Sequence, residues 1–389
     1  MEIKESKIQS FKSVGKKVAY DLTIDSQFHN FYLNGLVTSN SHSHSYSVLA
    51  AKTVFLKYKY PQQFFCSILE TAEFSPDPLS VVAEVNRELP DFGLKLLPPN
   101  LQRSKLSFTM EDEGIRYGLS SIKGISSNVQ SALREFVKAD PKNKYDVFIA
   151  AKQTGINIGV LSSLIYAGAL GEENRAKIVL EAQCFNLLTD REKRNIYKLG
   201  EKYRFDLLGC IAEVAQGKTL GDDNKPIFKD SRFETFKKKF EPYKTLYFEN
   251  KQHECLAAWW FEKTLLGYSY SHKLRDCFNQ SGDLMMLKEV SEDRPESWRA
   301  VGQIDDFFVK TSKNDNRYAK ILISDDSGTA DLMFCDGKKE KKLTDFLDKS
   351  KLVKGSIILV KAQKSGDTNF VDSIRVVDTK IYTKIRDLK

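Results

Sequence analysis

The chain has 389 residues, of which 41% are hydrophobic and 29% charged, with a formal net charge of +8 at pH 7. This length predicts two to four soluble globular domains, and the absence of any run of about 18 apolar residues excludes a membrane-spanning helix. The basic excess favours a polyanionic partner without requiring one. The six cysteines include no C-x-x-C pair, so the sequence predicts reduced thiols, no metal site and no disulfides. Because the N-terminus lacks the apolar stretch of a secretory signal, we expect a cytoplasmic protein with no membrane partner.

Residues 1–40 have the pattern of a small β-sheet piece. Residues 18–24 alternate apolar and polar side chains, as a half-buried strand does. The pair Asn34-Gly35 is a strong hairpin turn signal between two further short strands, 31–33 and 36–38. Forty residues of β structure bury little apolar surface by themselves, so this piece is expected to need a partner segment.

An Asn-Ser pair, Asn40 and Ser41, follows the predicted hairpin. The side-chain amide of an asparagine can attack its own carbonyl and cyclise, which releases the next residue. A serine supplies an oxygen nucleophile, and a histidine such as His29 can transfer the protons. The pattern therefore predicts a peptide bond that breaks after Asn40, and an ordinary hairpin that happens to end in Asn-Ser is the alternative.

Residues 20–24 (YDLTI) and 29–31 (HNF), together with Asn40 and Ser41, resemble the two C-terminal blocks of an intein. The resemblance implies that residues 1–40 are a C-terminal split-intein fragment. In that family the histidine assists, the last asparagine cyclises and the next residue is the nucleophile, which assigns these roles to His29, Asn40 and Ser41. It also implies a partner chain that carries the N-terminal intein half.

Residues 41–105 change to a helical period. Apolar spacing predicts helices from about residue 45 to 58, from residue 61 to about 69, and over 79–89. Three motifs here resemble the alpha subunit of bacterial replicative DNA polymerase III. They are SHSHSY at 41–46, LKYKYP at 56–61 and LKLLPP at 94–99. The resemblance implies that residues 41–105 are the end of a polymerase fingers domain.

The Ser-His run leaves two other interpretations open. His42 and His44 lie two residues apart, but two histidines alone do not complete a metal site. A Ser-His nucleophile pair would need an orienting acid and an oxyanion hole, and the sequence indicates neither. Both interpretations are weaker than the resemblance to the polymerase.

Residues 106–175 are predicted to form a DNA-binding domain of the helix-hairpin-helix type. The segment 122–126 is a glycine turn that precedes a helix expected over 128–137. Such a turn presents backbone N–H groups and the positive end of a helix dipole, which suits a phosphate. We therefore expect Lys123, Gly124 and the amides near Ser126 to contact DNA. A plain corner between two helices is the alternative.

Residues 176–297 are predicted to be a helical connecting region. Within it, residues 204–209 (RFDLLG) resemble the clamp-binding peptide of the polymerase family, which implies a sliding clamp as a partner. The expected clamp contacts are Phe205, Asp206, Leu207 and Leu208. A helix end packed on its own domain is the alternative. The Lys- and Phe-rich stretch 228–240 suits either single-stranded DNA or a solvated helix with a buried aromatic side.

Residues 298–378 show three strands, a helix and two strands, the element order of an OB-fold, and a tail of residues 379–389 follows. OB-folds bind oligonucleotides, so Phe307, Arg317, Tyr318 and Phe334 are candidates for stacking bases or binding phosphate. Each is equally a candidate for the barrel core.

The sequence thus predicts a multidomain α+β protein. It has a small all-β intein fragment, a mostly helical fingers and helix-hairpin-helix region, and a C-terminal OB-fold β-barrel. The resemblance implies the C-terminal part of a replicative DNA polymerase, joined by trans-splicing at Asn40/Ser41 to a chain that bears the palm. Mg²⁺ is expected in that palm and no cofactor in this chain, so the isolated chain is not expected to polymerise DNA. The alternative is a stand-alone accessory protein that binds single-stranded DNA. A bacterial cell or a phage-infected host is the expected setting.

Overall fold

The computed structural model divides the chain into two compact units, Met1–Pro61 and Gln62–Lys389. The structure describes residues 30–33, 36–39, 41–171, 174–216, 219–250, 254–278, 283–312, 316–337, 342–350 and 352–377. The fold class is mixed α+β, as predicted, with a helical body and a closed barrel. No helix in these ranges is long and apolar enough to cross a membrane.

The first unit contains a hairpin and a helix. Strands β1 (Asn30–Leu33) and β2 (Leu36–Ser39) pair antiparallel with Leu33 opposite Leu36, so the predicted two-stranded hairpin is present. Helix α1 (Ser41–Lys59) begins four residues before the predicted start, because no Pro or Gly interrupts the chain between Ser41 and Pro61. It ends one residue before Tyr60, whose α conformation is disfavoured by the proline that follows. His29 and Asn40 lie outside the described residues, as does most of the predicted intein fragment.

The second unit begins with α2 (Pro61–Thr71) and α3 (Pro78–Glu88), both of which open on a proline. At the start of α3 the Asp77 side chain accepts a hydrogen bond from Ser80 N–H at 3.4 Å. Three short strands follow: β3 (Lys95–Leu97), β4 (Thr109–Glu111) and β5 (Gly114–Arg116). They form a sheet in the order β3-β5-β4, with β3 parallel to β5. Only β5 overlaps a strand that the sequence pattern predicts, over residues 115–119.

Eight helices then build the helical body among the described residues. They are α4 (Gln130–Lys138), α5 (Lys144–Thr154), α6 (Ile158–Tyr166), α7 (Arg175–Leu187), α8 (Asp190–Leu199), α9 (Leu207–Gln216), α10 (Asp230–Asn250) and α11 (Glu254–Leu266). One apolar core runs through them, with Tyr117, Tyr145 and Trp259 fully buried. In α10 the Phe236 and Phe240 rings stack at 5.7 Å and are buried. The aromatic side of the Lys- and Phe-rich stretch is therefore core.

The barrel follows α12 (Leu287–Asp293). Its elements are β6 (Ser297–Thr311), β7 (Arg317–Ser324), β8 (Thr329–Cys335), α13 (Lys342–Lys349), β9 (Ile357–Ser365) and β10 (Thr368–Val376). The strands close in the order β10-β8-β7-β6-β9, with β10 parallel to β8 and antiparallel to β9. This closed five-stranded barrel is consistent with the predicted OB-fold.

Candidate nucleic-acid interface

The turn before α4 is anchored to the helical body on one side and exposed to solvent on the other. Ile122 is buried, and Lys123 N–H donates to the Leu265 carbonyl of α11 at 3.0 Å, which fixes the turn on the helical body. Gly124 adopts φ +95°, a left-handed conformation that favours glycine. Ser126 is extended and precedes a short 3₁₀ turn, Ser127–Val129, that leads into α4. The side chains of Lys123 and Ser126 are exposed, so this turn can meet a phosphate at a helix N-terminus.

A second helix N-terminus lies next to this turn. Gly155 ends α5 in the left-handed conformation, and the Asn157 side chain accepts from Val160 N–H at 2.9 Å to start α6. A cavity of about 330 Å³ is lined by residues of both turns, among them Lys123, Gly124 and Ser126 of the first and Asn157 and Gly159 of the second. The region therefore holds two turns that each lead into a helix, α4 and α6, and the sequence indicated only the first.

The outer face of the barrel carries a patch of aromatic and basic side chains, which we call the barrel patch. Its members are Phe308, Lys310, Tyr318, Lys320 and Phe370. Strand register places Phe308 opposite Lys320, and Lys310 opposite Tyr318. Lys320 lies opposite Met333 on β8, and Met333 lies beside Phe370 on β10. Lys310 Nζ stands 5.0 Å from the centroid of the Phe308 ring. The members of the patch thus lie on three strands, β6, β7 and β10, and Met333 of β8 lies between Lys320 and Phe370.

Two of the aromatic residues proposed from the sequence belong to the barrel core instead. Phe334 is 2% exposed and lies 5.9 Å from the Phe346 ring of α13. Phe307 is half-buried and packs against the core from a position opposite Ile321. At these two positions the structure agrees with the alternative of a barrel-core side chain, and a contact of Phe307 with DNA stays a prediction.

A β-bulge explains the difference. The register of β6 shifts between Ile304 and Asp306, so the alternation of inward and outward side chains changes phase there. Trp298 and Ile304 face inward before the bulge, and odd-numbered residues such as Phe307 do so after it. The bulge turns Phe308 outward, where it is 41% exposed. Sequence alternation alone could not place this shift, so Phe308 was missed.

The remaining barrel candidates lie at or near the patch. Tyr318 is half-buried on the outer face, and Arg317 is exposed at the start of β7. Arg317 Nη1 donates to Thr344 Oγ1 of α13 at 3.4 Å, and Thr344 in turn donates to Asp336 at 2.6 Å. These contacts hold the guanidinium against α13.

The predicted clamp segment is packed into the helical body. Leu207 is fully buried, and its N–H donates to the buried Glu181 carboxylate at 3.0 Å. The Phe205 ring meets the Tyr145 ring edge-on at 5.3 Å, and Leu208 packs against the same core. Asp206 pairs with Lys177 at 3.0 Å. This arrangement agrees with the alternative of a helix end packed on its own domain, and clamp binding stays a prediction that would require the turn to open.

A profile of the helix-hairpin-helix motif matches residues 93–178, which include the Lys123 turn and the turn between α5 and α6. The fold and this match define a mixed α+β chain with a helix-hairpin-helix region and an OB-type barrel.

In sequence, the chain is similar to DNA polymerase III subunit alpha of several bacteria. The Campylobacter jejuni protein is 26% identical over 74% of this chain and 22% of its own length. The Borreliella burgdorferi protein is 25% identical over 85% of this chain and 27% of its own length. The Pseudomonas fluorescens protein is 33% identical over 34% of this chain and 11% of its own length. The chain is therefore homologous to the C-terminal region of DNA polymerase III alpha subunits, and it spans about a quarter of the length of the first two relatives.

Proposed function

We propose that this chain is the C-terminal part of a replicative DNA polymerase alpha subunit and that it holds DNA for a catalytic palm carried on another chain. The observation that carries the proposal is the similarity to polymerase alpha subunits over 74% and 85% of the chain. The helix-hairpin-helix match over residues 93–178 adds a DNA-binding element to it. Mg²⁺ for phosphoryl transfer would be held by the palm of the other chain.

Two surfaces are proposed to contact DNA. At the Lys123 turn, the ammonium group, the Gly124 backbone and the amides near Ser126 would bind duplex phosphates, which positions the duplex without reading its sequence. At the barrel patch, the Phe308 and Tyr318 rings would stack unpaired bases while Lys310, Lys320 and Arg317 bind the backbone. The exposure of these groups and their placement on rigid elements support both assignments.

The two chains are proposed to be joined by trans-splicing. His29 would assist, Asn40 would cyclise, and Ser41 would take over the upstream acyl group, so that the product carries a native peptide bond at Ser41. The support is the sequence pattern of residues 1–40 and the hairpin β1–β2 that precedes Asn40. Ser41 also opens α1, the first helix of the polymerase-like region.

Lys123→Ala is expected to weaken binding to primer–template DNA roughly fivefold, because one phosphate contact is lost. The slope of log affinity against log salt should fall by about one for the same reason. Fluorescence anisotropy across a salt series measures both quantities. Lys138→Ala is the matched control, since Lys138 is an exposed lysine at the other end of α4 that pairs with Glu135. Equal losses in the two variants, or wild-type binding that does not respond to salt, would contradict the proposal.

Phe308→Ala is expected to weaken binding to single-stranded DNA at least fivefold, because one base–aromatic stack contributes about 1–3 kcal/mol. Duplex binding should change little. Phe74→Ala is the matched control, because Phe74 is 81% exposed on the helical body and far from the barrel in sequence. An unchanged affinity of Phe308→Ala for single strands would remove the barrel patch from the proposal while leaving the Lys123 turn in place.

A further inference from the structure

Barrel residues Val301 and Ile357 pack into the core of the helical body, and the turn between β7 and β8 adds hydrogen bonds to that body. The turn between β7 and β8 places the Asp326 carboxylate where it accepts hydrogen bonds from Trp259 Nε1 at 2.8 Å and from Leu274 N–H at 2.6 Å. Trp259 belongs to α11, and both Trp259 and Leu274 are fully buried. Asp325 holds the turn itself by accepting from Gly328 N–H at 2.9 Å. We call this set of contacts the joint.

Two cysteines lie against each other beside the joint. Cys255 occupies the first turn of α11, and Cys277 follows Leu274 by three residues. They are 22 residues apart in sequence, yet their Sγ atoms are 2.8 Å apart. Both are free thiols and half-buried, so a small reagent can reach them. Within the described ranges, no His, Cys, Asp or Glu cluster of three or more could hold a metal ion, so the pair is a dithiol without a third ligand.

The pair also differs chemically from the other cysteines. The hydrogen bond with Cys277 lowers the pKa of the Cys255 thiol, whereas that same contact and burial raise the pKa of Cys277. Burial raises the pKa of Cys66, Cys184 and Cys210. Because the thiolate is the reactive form, Cys255 is the nucleophile and Cys277 is placed to resolve the product of its oxidation.

We propose that Cys255 and Cys277 are a redox-active dithiol site that a hydroperoxide converts into a disulfide, which links the two segments of the helical body that donate hydrogen bonds to Asp326 of the barrel. The Cys255 thiolate attacks the peroxide oxygen; the O–O bond breaks, Cys255 becomes a sulfenic acid, and the leaving oxygen takes a proton and departs as water or an alcohol. The Cys277 sulfur then attacks the Cys255 sulfur, the S–O bond breaks, and the Cys277 proton leaves with that oxygen as water. Two electrons and two protons pass from the two thiols to one peroxide.

The disulfide would connect the first turn of α11 directly to the segment that includes Leu274. Trp259 of α11 and Leu274 of that segment both donate to Asp326, so the crosslink would keep the two donors in place relative to each other and favour their bonds to the barrel. The site is separate from the Lys123 turn and from the barrel patch, so it does not depend on the proposed function. A disulfide at this site would limit changes in the position of the barrel patch relative to the Lys123 turn.

The test uses the full chain, reduced and then treated with hydrogen peroxide, quenched by alkylation and digested without reductant. Mass spectrometry should find one linked peptide pair, Cys255 to Cys277, lighter by two hydrogen atoms than its reduced parts. Cys277→Ser should lose the linked pair and leave Cys255 as a sulfenic acid or a more oxidised form. Cys335→Ser, which removes a half-buried thiol of the barrel, should keep it.

The oxidised wild-type chain should also unfold at a temperature about 5 °C higher than the reduced chain, because the crosslink restricts a closed loop in the unfolded state. Cys277→Ser should show no such shift, and circular dichroism before treatment shows whether that variant is folded. If Cys277→Ser does not fold, the wild-type linked peptide and its reversal by dithiothreitol decide the question. Absence of the linked pair in folded wild-type protein, or its appearance only after denaturation, would overturn the proposal.

Discussion

Asn40→Ala is expected to abolish the ligated product when this chain is co-expressed with a chain that joins a polymerase palm to an N-terminal intein half. Alanine has no side-chain amide, so the carbonyl of residue 40 cannot be attacked and the bond before Ser41 stays intact. Wild type should yield a larger spliced chain and a freed segment of residues 1–40. Denaturing gels and intact-mass measurement detect both.

Asn128→Ala serves as the control for this substitution, because Asn128 is an exposed asparagine of the short 3₁₀ turn that precedes α4. It should splice as wild type does. Ligation by Asn40→Ala would show that the splicing assignment is wrong. Failure of the wild type to splice with its partner would instead favour the alternative of a stand-alone accessory protein that binds single-stranded DNA.

Glu262→Ala is expected to lower the free energy of unfolding by about 3–5 kcal/mol, the usual cost of removing one partner from a buried ion pair. Glu262 of α11 is fully buried, and its carboxylate lies 2.6 Å from Arg175 Nη1 of α7. The same carboxylate accepts from Tyr270 N–H at 2.8 Å and from Ser271 Oγ at 2.6 Å. The substitution leaves a buried guanidinium without its carboxylate and several donors without an acceptor.

Urea denaturation of Glu262→Ala and of Glu135→Ala measures this difference. Glu135 pairs with Lys138 on the surface of α4 at 2.8 Å, so its removal should change stability by less than about 0.5 kcal/mol. Both variants remove a glutamate side chain from an ion pair, but Glu262 is buried and accepts further hydrogen bonds, whereas Glu135 is exposed. A loss of less than about 1 kcal/mol for Glu262→Ala would contradict the assigned role of this network.

The Glu262 network also explains the path of the segment after α11 and the glycine at position 168. Residues 269–271 wrap around the Glu262 carboxylate. Gly168 has φ +84°, and a Cβ atom there would stand 1.8 Å from the Tyr270 hydroxyl oxygen. Arg175 reaches that hydroxyl at 3.1 Å. The glycine is needed because this buried cluster leaves no room for a side chain.

The sequence predicted the elements whose pattern is local. The barrel strands, the hairpin β1–β2 and most helices follow from alternation, helical spacing and turn residues, and the structure contains them. Strands β3 and β4 were not predicted, because three residues are too short to show an alternating pattern, whereas β5 lies in a longer alternating run, residues 115–119. Which of Phe307 and Phe308 faces the core is decided by a bulge in β6, and a bulge depends on strand register rather than on local sequence pattern. The Cys255–Cys277 contact joins residues 22 positions apart and depends on how α11 meets the following segment.

The proposed function is tested most directly by primer extension with three samples: this chain alone, the palm-bearing chain alone, and the two chains together. The proposal predicts no extension by this chain alone, because the palm lies elsewhere. It predicts that extension by the two chains together exceeds that of the palm-bearing chain alone by at least tenfold, since the duplex contacts at the Lys123 turn are then present. Extension that is the same with and without this chain would contradict the proposal that residues 41–389 supply the DNA-holding part of a polymerase.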